Sequence, residues 1–132
     1  MNRNGILYIE NSLNVTLPKS YVNVMVNYPY IEDEGTMNWS LGDNPQSLVE
    51  ITQYYRKGSK MNPPWPLEII VIGDEGDGCP IALNLETNEV YKYERGNITK
   101  EPLEYYRSFE SYVEELNKCW DDEIKSERRH HK

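Results

Sequence analysis

The part of the chain richest in groups that could do chemistry is IIVIGDEGDGCPIALNL, residues 69–85. Gly73, Gly76 and Gly78 alternate with Asp74, Glu75 and Asp77 between two apolar runs. A phosphate loop would need its glycines followed by Lys-Ser/Thr and then a helix, whose first N–H groups hold the phosphate. No lysine follows here, and the next residues read as a strand. The order G-x-x-G-x-G is also not the dinucleotide fingerprint, and three acids would repel a phosphate. A calcium loop would need oxygen ligands at alternate positions, a central glycine and a later glutamate. Asp77 instead follows Asp74 at a spacing of three, and the next acid is Glu86. Adventitious cation binding is the alternative that this leaves, and no metal site is expected. A tight connection between two strands needs residues that accept positive φ, as Gly and Asp do. The segment is therefore expected to be a hairpin turn, with its acids available to a partner.

Other catalytic signals are weak. His130 and His131 lie in ERRHHK, past the last apolar position, in what is expected to be a frayed tail over 126–132. Without an internal histidine, a Ser–His or Cys–His nucleophile pair has no base. Cys79 and Cys119 share no metal-type spacing and sit in apolar contexts, where cysteine is usually a structural thiol. The many carboxylates crowd what read as solvated faces. No catalytic residue and no cofactor is expected, and the protein is not read as an enzyme.

The 132 residues fit one domain, expected to span 1–125. There are 11 Tyr and 3 Trp but only one Phe. Tyrosine joins an apolar body to a polar tip and suits half-buried surfaces and interfaces. The net charge of -8 is uneven: residues 1–60 hold 6 acids and 5 bases, residues 61–132 hold 16 and 9. Such a chain repels nucleic acid, which is bound by neutralising phosphates with Lys and Arg. It favours a basic partner and electrostatic steering. No segment reads as a signal peptide or a membrane span, so a cytoplasmic protein with reduced thiols is expected.

Three helices are legible. LPKSYVNVMVNYP starts with Pro18 in its first turn and carries Tyr21, Val24, Met25 and Tyr28 on one face. NPQSLVEITQYYRKG runs from a capping Asn44 to Gly58, with Leu48, Ile51, Thr52 and Tyr55 on one stripe. SFESYVEELNKCWDDEIK repeats Phe109, Tyr112, Val113, Leu116 and Trp120, with Ser108 and Ser111 as competing caps. Between the second and third helices, LEIIVIG reads as a central strand covered on both faces. CPIALNL and EVYKYE complete an antiparallel meander, and MNWSL at 37–41 is a shorter strand candidate. Helices, then strands, then a helix argue an α+β fold with a twisted, mostly antiparallel sheet.

In this order and spacing the segments resemble the SUKH superfamily, the Smi/Knr-like domains. LPKSYVNVMVNYP matches that family's Leu-Pro followed by an aromatic and apolar helix. EIIVIGDEGDGCPIALNL matches its strand, glycine-and-acid turn and strand. NEVYKY matches the next strand, and YYRSFESYVEEL the closing helix. The resemblance covers about residues 13 to 120. It departs where the family shows an Asn-Gly pair after the first helix and this chain reads NYPYIEDEG.

The resemblance implies a sheet packed by helices and a binding function. Many bacterial members look like immunity proteins that neutralise polymorphic toxins, often nucleases. The alternative is a regulatory or scaffolding interaction domain of the Smi/Knr type. For an immunity protein, the acids would stand in for the phosphates that a basic cleft expects, and aromatic residues would anchor the contact. The expected contacts are Glu32, Asp33 and Glu34 in the first long loop, Asp74, Glu75 and Asp77 in the turn, and Trp39 and Trp65. Trp65, in NPPWP, has a competing reading as a lid on the core.

Overall fold

The computed structural model of the chain describes residues 1–27, 41–42, 44–60, 62–74 and 77–118. Its first element is a helix not among the three expected, α1 (Arg3–Leu13). The Asn2 side chain caps it by accepting the Gly5 N–H at 2.9 Å, and Asn14 ends it in the left-handed conformation. Ile6, Ile9 and Leu13 form its buried stripe. Helix α2 (Lys19–Asn27) begins directly after Pro18 and buries Tyr21 and Met25. Helix α3 (Pro45–Lys57) has the expected Asn44 cap, which accepts from Ser47 N–H at 3.1 Å, and ends at Gly58. It packs on α1 and buries Leu48, Val49 and Thr52. The last helix, α4, is described over 109–118. Of its two candidate caps the structure uses Ser108, whose Oγ accepts from Ser111 N–H at 3.1 Å.

The strands are β1 (Ile69–Asp74), β2 (Pro80–Asn84), β3 (Val90–Lys92) and β4 (Glu104–Tyr106), in the order β1-β2-β3-β4 with every neighbouring pair antiparallel. The meander thus has one strand more than expected. Glu104-Tyr105-Tyr106 is short and mostly exposed, and carries no apolar alternation to announce it. A second correction concerns β1, which lies at the edge of the sheet and not at its centre. Its apolar run is buried all the same, because α3 lies against it and closes the open edge. Thr52 Oγ1 accepts the Val71 N–H at 3.0 Å, and Gly42 N–H donates to the Ile72 carbonyl at 2.8 Å. The pairing of β1 with β2 slips between Val71 and Gly73, a bulge that turns backbone groups outward to these partners. Apart from Leu41, the strand expected at 37–41 lies outside the described residues, as do the tail over 126–132, Cys119 and both histidines.

Strand parity sorts the side chains. Val90 pairs with Tyr106 on one face, and Tyr91 with Tyr105 on the other. On the first face Tyr106 meets Tyr112 of α4, ring centroids 4.9 Å apart, and Phe109 of α4 meets Tyr21 of α2 at 5.2 Å. All but Tyr106 of these are fully buried in one apolar cluster with Ile81, Leu83 and Val90. On the second face, Tyr93 leads through Trp65 to Tyr55 of α3. The molecule is therefore an α+β domain, with α2 and α4 at one face of an antiparallel sheet and α3 at its β1 edge.

Candidate functional site

Residues 69–85 form two antiparallel strands joined by a hairpin connection. Asp74 pairs with Pro80 across β1 and β2, and Gly78 sits at φ +77 with open space where a side chain would stand. Asp77 holds this turn together. Its carboxylate accepts the Cys79 N–H at 3.0 Å and meets Lys92 Nζ at 2.7 Å. Lys92 is 8% exposed, on the inner face of β3, and Glu104 of β4 approaches it from the other side at 3.6 Å. A lysine this buried needs a carboxylate, and the turn supplies one. The hydrogen bonds from Lys92 and from the Cys79 backbone hold the Asp77 carboxyl below its ordinary pKa. Asp77 keeps nearly half of its side chain in solvent, so the tie to Lys92 leaves one side of the carboxylate open. Asp74 is exposed at the end of β1. Glu75, Glu32, Asp33, Glu34 and Trp39 lie outside the described residues.

Trp65 is not a surface anchor. It is 3% exposed, stacked on Tyr55 at 4.7 Å, with its indole N–H donated to the Gly96 carbonyl at 2.8 Å. Of its two sequence readings, the lid on the core is the one the structure shows. The reason is the indole nitrogen: once the rings are buried it needs an acceptor, and the turn at Gly96 presents one.

The aromatic residues that do reach the surface are others. Tyr105 on β4 is 52% exposed, its ring 5.2 Å from Tyr91, which lies 5.5 Å from Tyr93 and stacks on it. The Tyr105 hydroxyl donates to Glu89 at 2.5 Å, and the Tyr91 hydroxyl shares the same carboxylate. Desolvation and the Glu89 charge push the Tyr91 phenol up to about 12, and the two phenols hold Glu89 below the usual carboxylate range. The result is a row of phenol rings that closes gradually from the open Tyr105 to the buried Tyr93, with a carboxylate fixed at its rim. Leu103, just ahead of β4, is exposed as well. Such a surface suits the aliphatic and cationic side chains of a partner protein, because ring faces attract cations and Glu89 adds a full charge. The alternation in NEVYKY places Tyr91 and Tyr93 on one side. Tyr105 joins them only through the β3–β4 pairing, which the sequence did not reveal.

A cleft of about 310 Å³ lies where the loop after α3 meets the turn after β3. Arg95 and Gly96 in that turn both have positive φ, +51 and +76. Asn62 Nδ2 donates to the Arg95 carbonyl at 2.9 Å, as Trp65 does to that of Gly96. No group of three or more potential metal ligands occurs among the described residues. No helix among them is long and apolar enough to cross a membrane.

Fold and surface together define a small α+β domain with a half-exposed row of tyrosines and a carboxylate on β3 and β4. The family model of the SMI1 / KNR4 family (SUKH-1) matches residues 4–115, and the chain belongs to that family. Among curated proteins none matches the chain.

Proposed function

We propose that this is a cytoplasmic binding protein without catalytic function, and that it acts as the immunity partner of a basic polymorphic toxin. Nucleases are the toxin class that the family resemblance favours. The observation that carries the reading is the tyrosine surface of β3 and β4, held by Glu89, on a chain of net charge -8. Exposed tyrosines with fixed hydroxyls lose little freedom on binding, which is why such residues anchor interfaces. In this reading Tyr105, Tyr91 and Leu103 form the apolar centre. Asp74, Glu75 and Asp77, with Glu32, Asp33 and Glu34 of the first long loop and with Trp39, are the further expected contacts.

The test is co-expression in a heterologous host with the C-terminal domain encoded by the adjoining open reading frame. Killing that this protein relieves, and that its Tyr105→Ala variant relieves poorly while still folding, supports the proposal. A toxic neighbour that this protein does not neutralise overturns it.

A further inference from the structure

We propose that the cleft between the α3–β1 loop and the turn after β3 is a binding site for a small organic oxyanion with a flat body. The site is independent of the tyrosine surface. Its starting point is Arg95, which stands at φ 51, ψ 26, a left-handed conformation that Gly, Asn or Asp would adopt more readily than arginine. The backbone is fixed there from several sides. Asn62 Nδ2 holds the Arg95 carbonyl, Trp65 Nε1 holds that of Gly96, and Gly96 lies so close to the Tyr55 ring that a Cβ would fall 2.1 Å from Cε1. A strained residue held this firmly is an observation from which a functional role is legitimately inferred.

The strain places the arginine side chain on the cleft wall, beside Lys100, Asn62, Asn97 and Tyr54. Among the described residues no carboxylate lies within ion-pair distance of the Arg95 guanidinium. The Glu94 carboxylate, which also lines the cleft, pairs with Lys100 at 3.7 Å. A chain of charge -8 thus keeps a net positive cleft, with a planar guanidinium suited to phosphate or carboxylate. The remaining wall has matching polarity. Among the described residues, Asn97 spends its Oδ1 on Thr99 and keeps its Nδ2 hydrogens, whereas Asn62 spends Nδ2 and keeps Oδ1. Tyr54 is 65% exposed and is oriented edge-on to Tyr55, which leaves a ring face for stacking. The cleft volume is at the small end of ligand pockets and suits a molecule of nucleotide size or less.

The probes are inorganic phosphate, adenosine 5′-monophosphate and benzoate, each titrated into the labelled full chain and followed by amide chemical shifts. Inorganic phosphate supplies charge alone, and the other two join a flat body to a phosphate or to a carboxylate. Which of those two binds more tightly identifies the oxyanion. The amides of Asn62, Arg95, Gly96 and Asn97 are expected to move, with at least one flat ion binding more tightly than inorganic phosphate. Arg95→Asn is expected to weaken that binding by about tenfold while keeping or raising the melting temperature, because asparagine accepts the left-handed conformation. Tyr54→Ala should weaken the flat ions and leave inorganic phosphate unchanged. The proposal is overturned if no probe moves these amides up to about 10 mM, if R95N binds as well as the parent chain, or if inorganic phosphate equals both flat ions.

Discussion

A Cβ placed on Gly96 would meet Tyr55 at 2.1 Å, and the ring cannot retreat because Trp65 is stacked on it. The residue also stands at φ +76. Gly96→Ala therefore combines a clash with a strained backbone, and is expected to lower stability by about 2 kcal/mol or more in denaturant unfolding. The opposite sign is expected at Tyr21. Its ring is completely buried against Phe109, its hydroxyl finds no hydrogen-bond partner among the described residues, and burial pushes its pKa up. A phenylalanine would keep the ring packing and remove the desolvated oxygen. Tyr21→Phe should thus raise stability by about 1 kcal/mol. A loss of stability in that variant would show that the hydroxyl is satisfied in solution. Neither residue announces its role in the sequence: Tyr21 reads as one more apolar position on a helix face, and Gly96 as a loop glycine. What distinguishes them is the neighbour each meets across the fold.

The hairpin between β1 and β2 illustrates how far an element can be read from its residues. Gly and Asp between two apolar runs specify a turn, and the turn is present. The partner of Asp77 was not legible, because the pairing of Lys92 with that turn depends on the register of β2 against β3. The same limit explains β1 and β4. A continuous apolar run signals burial on both faces but cannot say whether a strand or a helix covers the edge, and here Thr52 of α3 does. Helix α1 was within reach of the sequence, since Ile6, Ile9 and Leu13 repeat at helical spacing behind a capping Asn2. Asp77→Asn should cost about 1 kcal/mol at neutral pH by weakening a charge-assisted hydrogen bond to a buried lysine. The pH dependence has a definite sign. The folded-state carboxyl is depressed, so its contribution is fully present above the unfolded value of about 3.9. It disappears as pH falls through the folded value. Denaturant unfolding of the parent chain and D77N should accordingly differ at pH 7 and converge in acid below about pH 4. A gap that persists in acid would show that the loss in D77N does not come from the charge of the carboxylate.

At the scale of the whole molecule, charge and aromatic surface act on different steps of binding. The excess of acids, concentrated in residues 61–132, sets a long-range field that steers a basic partner toward the molecule. The rings of Tyr105 and Tyr91 act only in contact, once water has left the interface. Measured association kinetics should separate the two. Raising ionic strength from about 0.1 M to 1 M shortens the screening length from about 10 Å to about 3 Å. The association rate should then fall by about tenfold or more, with a much smaller change in dissociation. Tyr105→Ala should behave in the reverse way, raising the dissociation rate by about tenfold and leaving both the salt slope of association and the melting temperature unchanged. The hydroxyl of Tyr105 bonds an exposed glutamate and its ring is half in solvent, so the fold loses little with it. If association proves indifferent to salt while Tyr105→Ala still speeds dissociation, the acids serve solubility and the aromatic surface alone carries recognition. If salt slows association and Tyr105→Ala changes nothing, the contact lies elsewhere on the acidic surface. The turn at Asp74 and Asp77 is then the next place to substitute, with D77N judged against its own loss of stability.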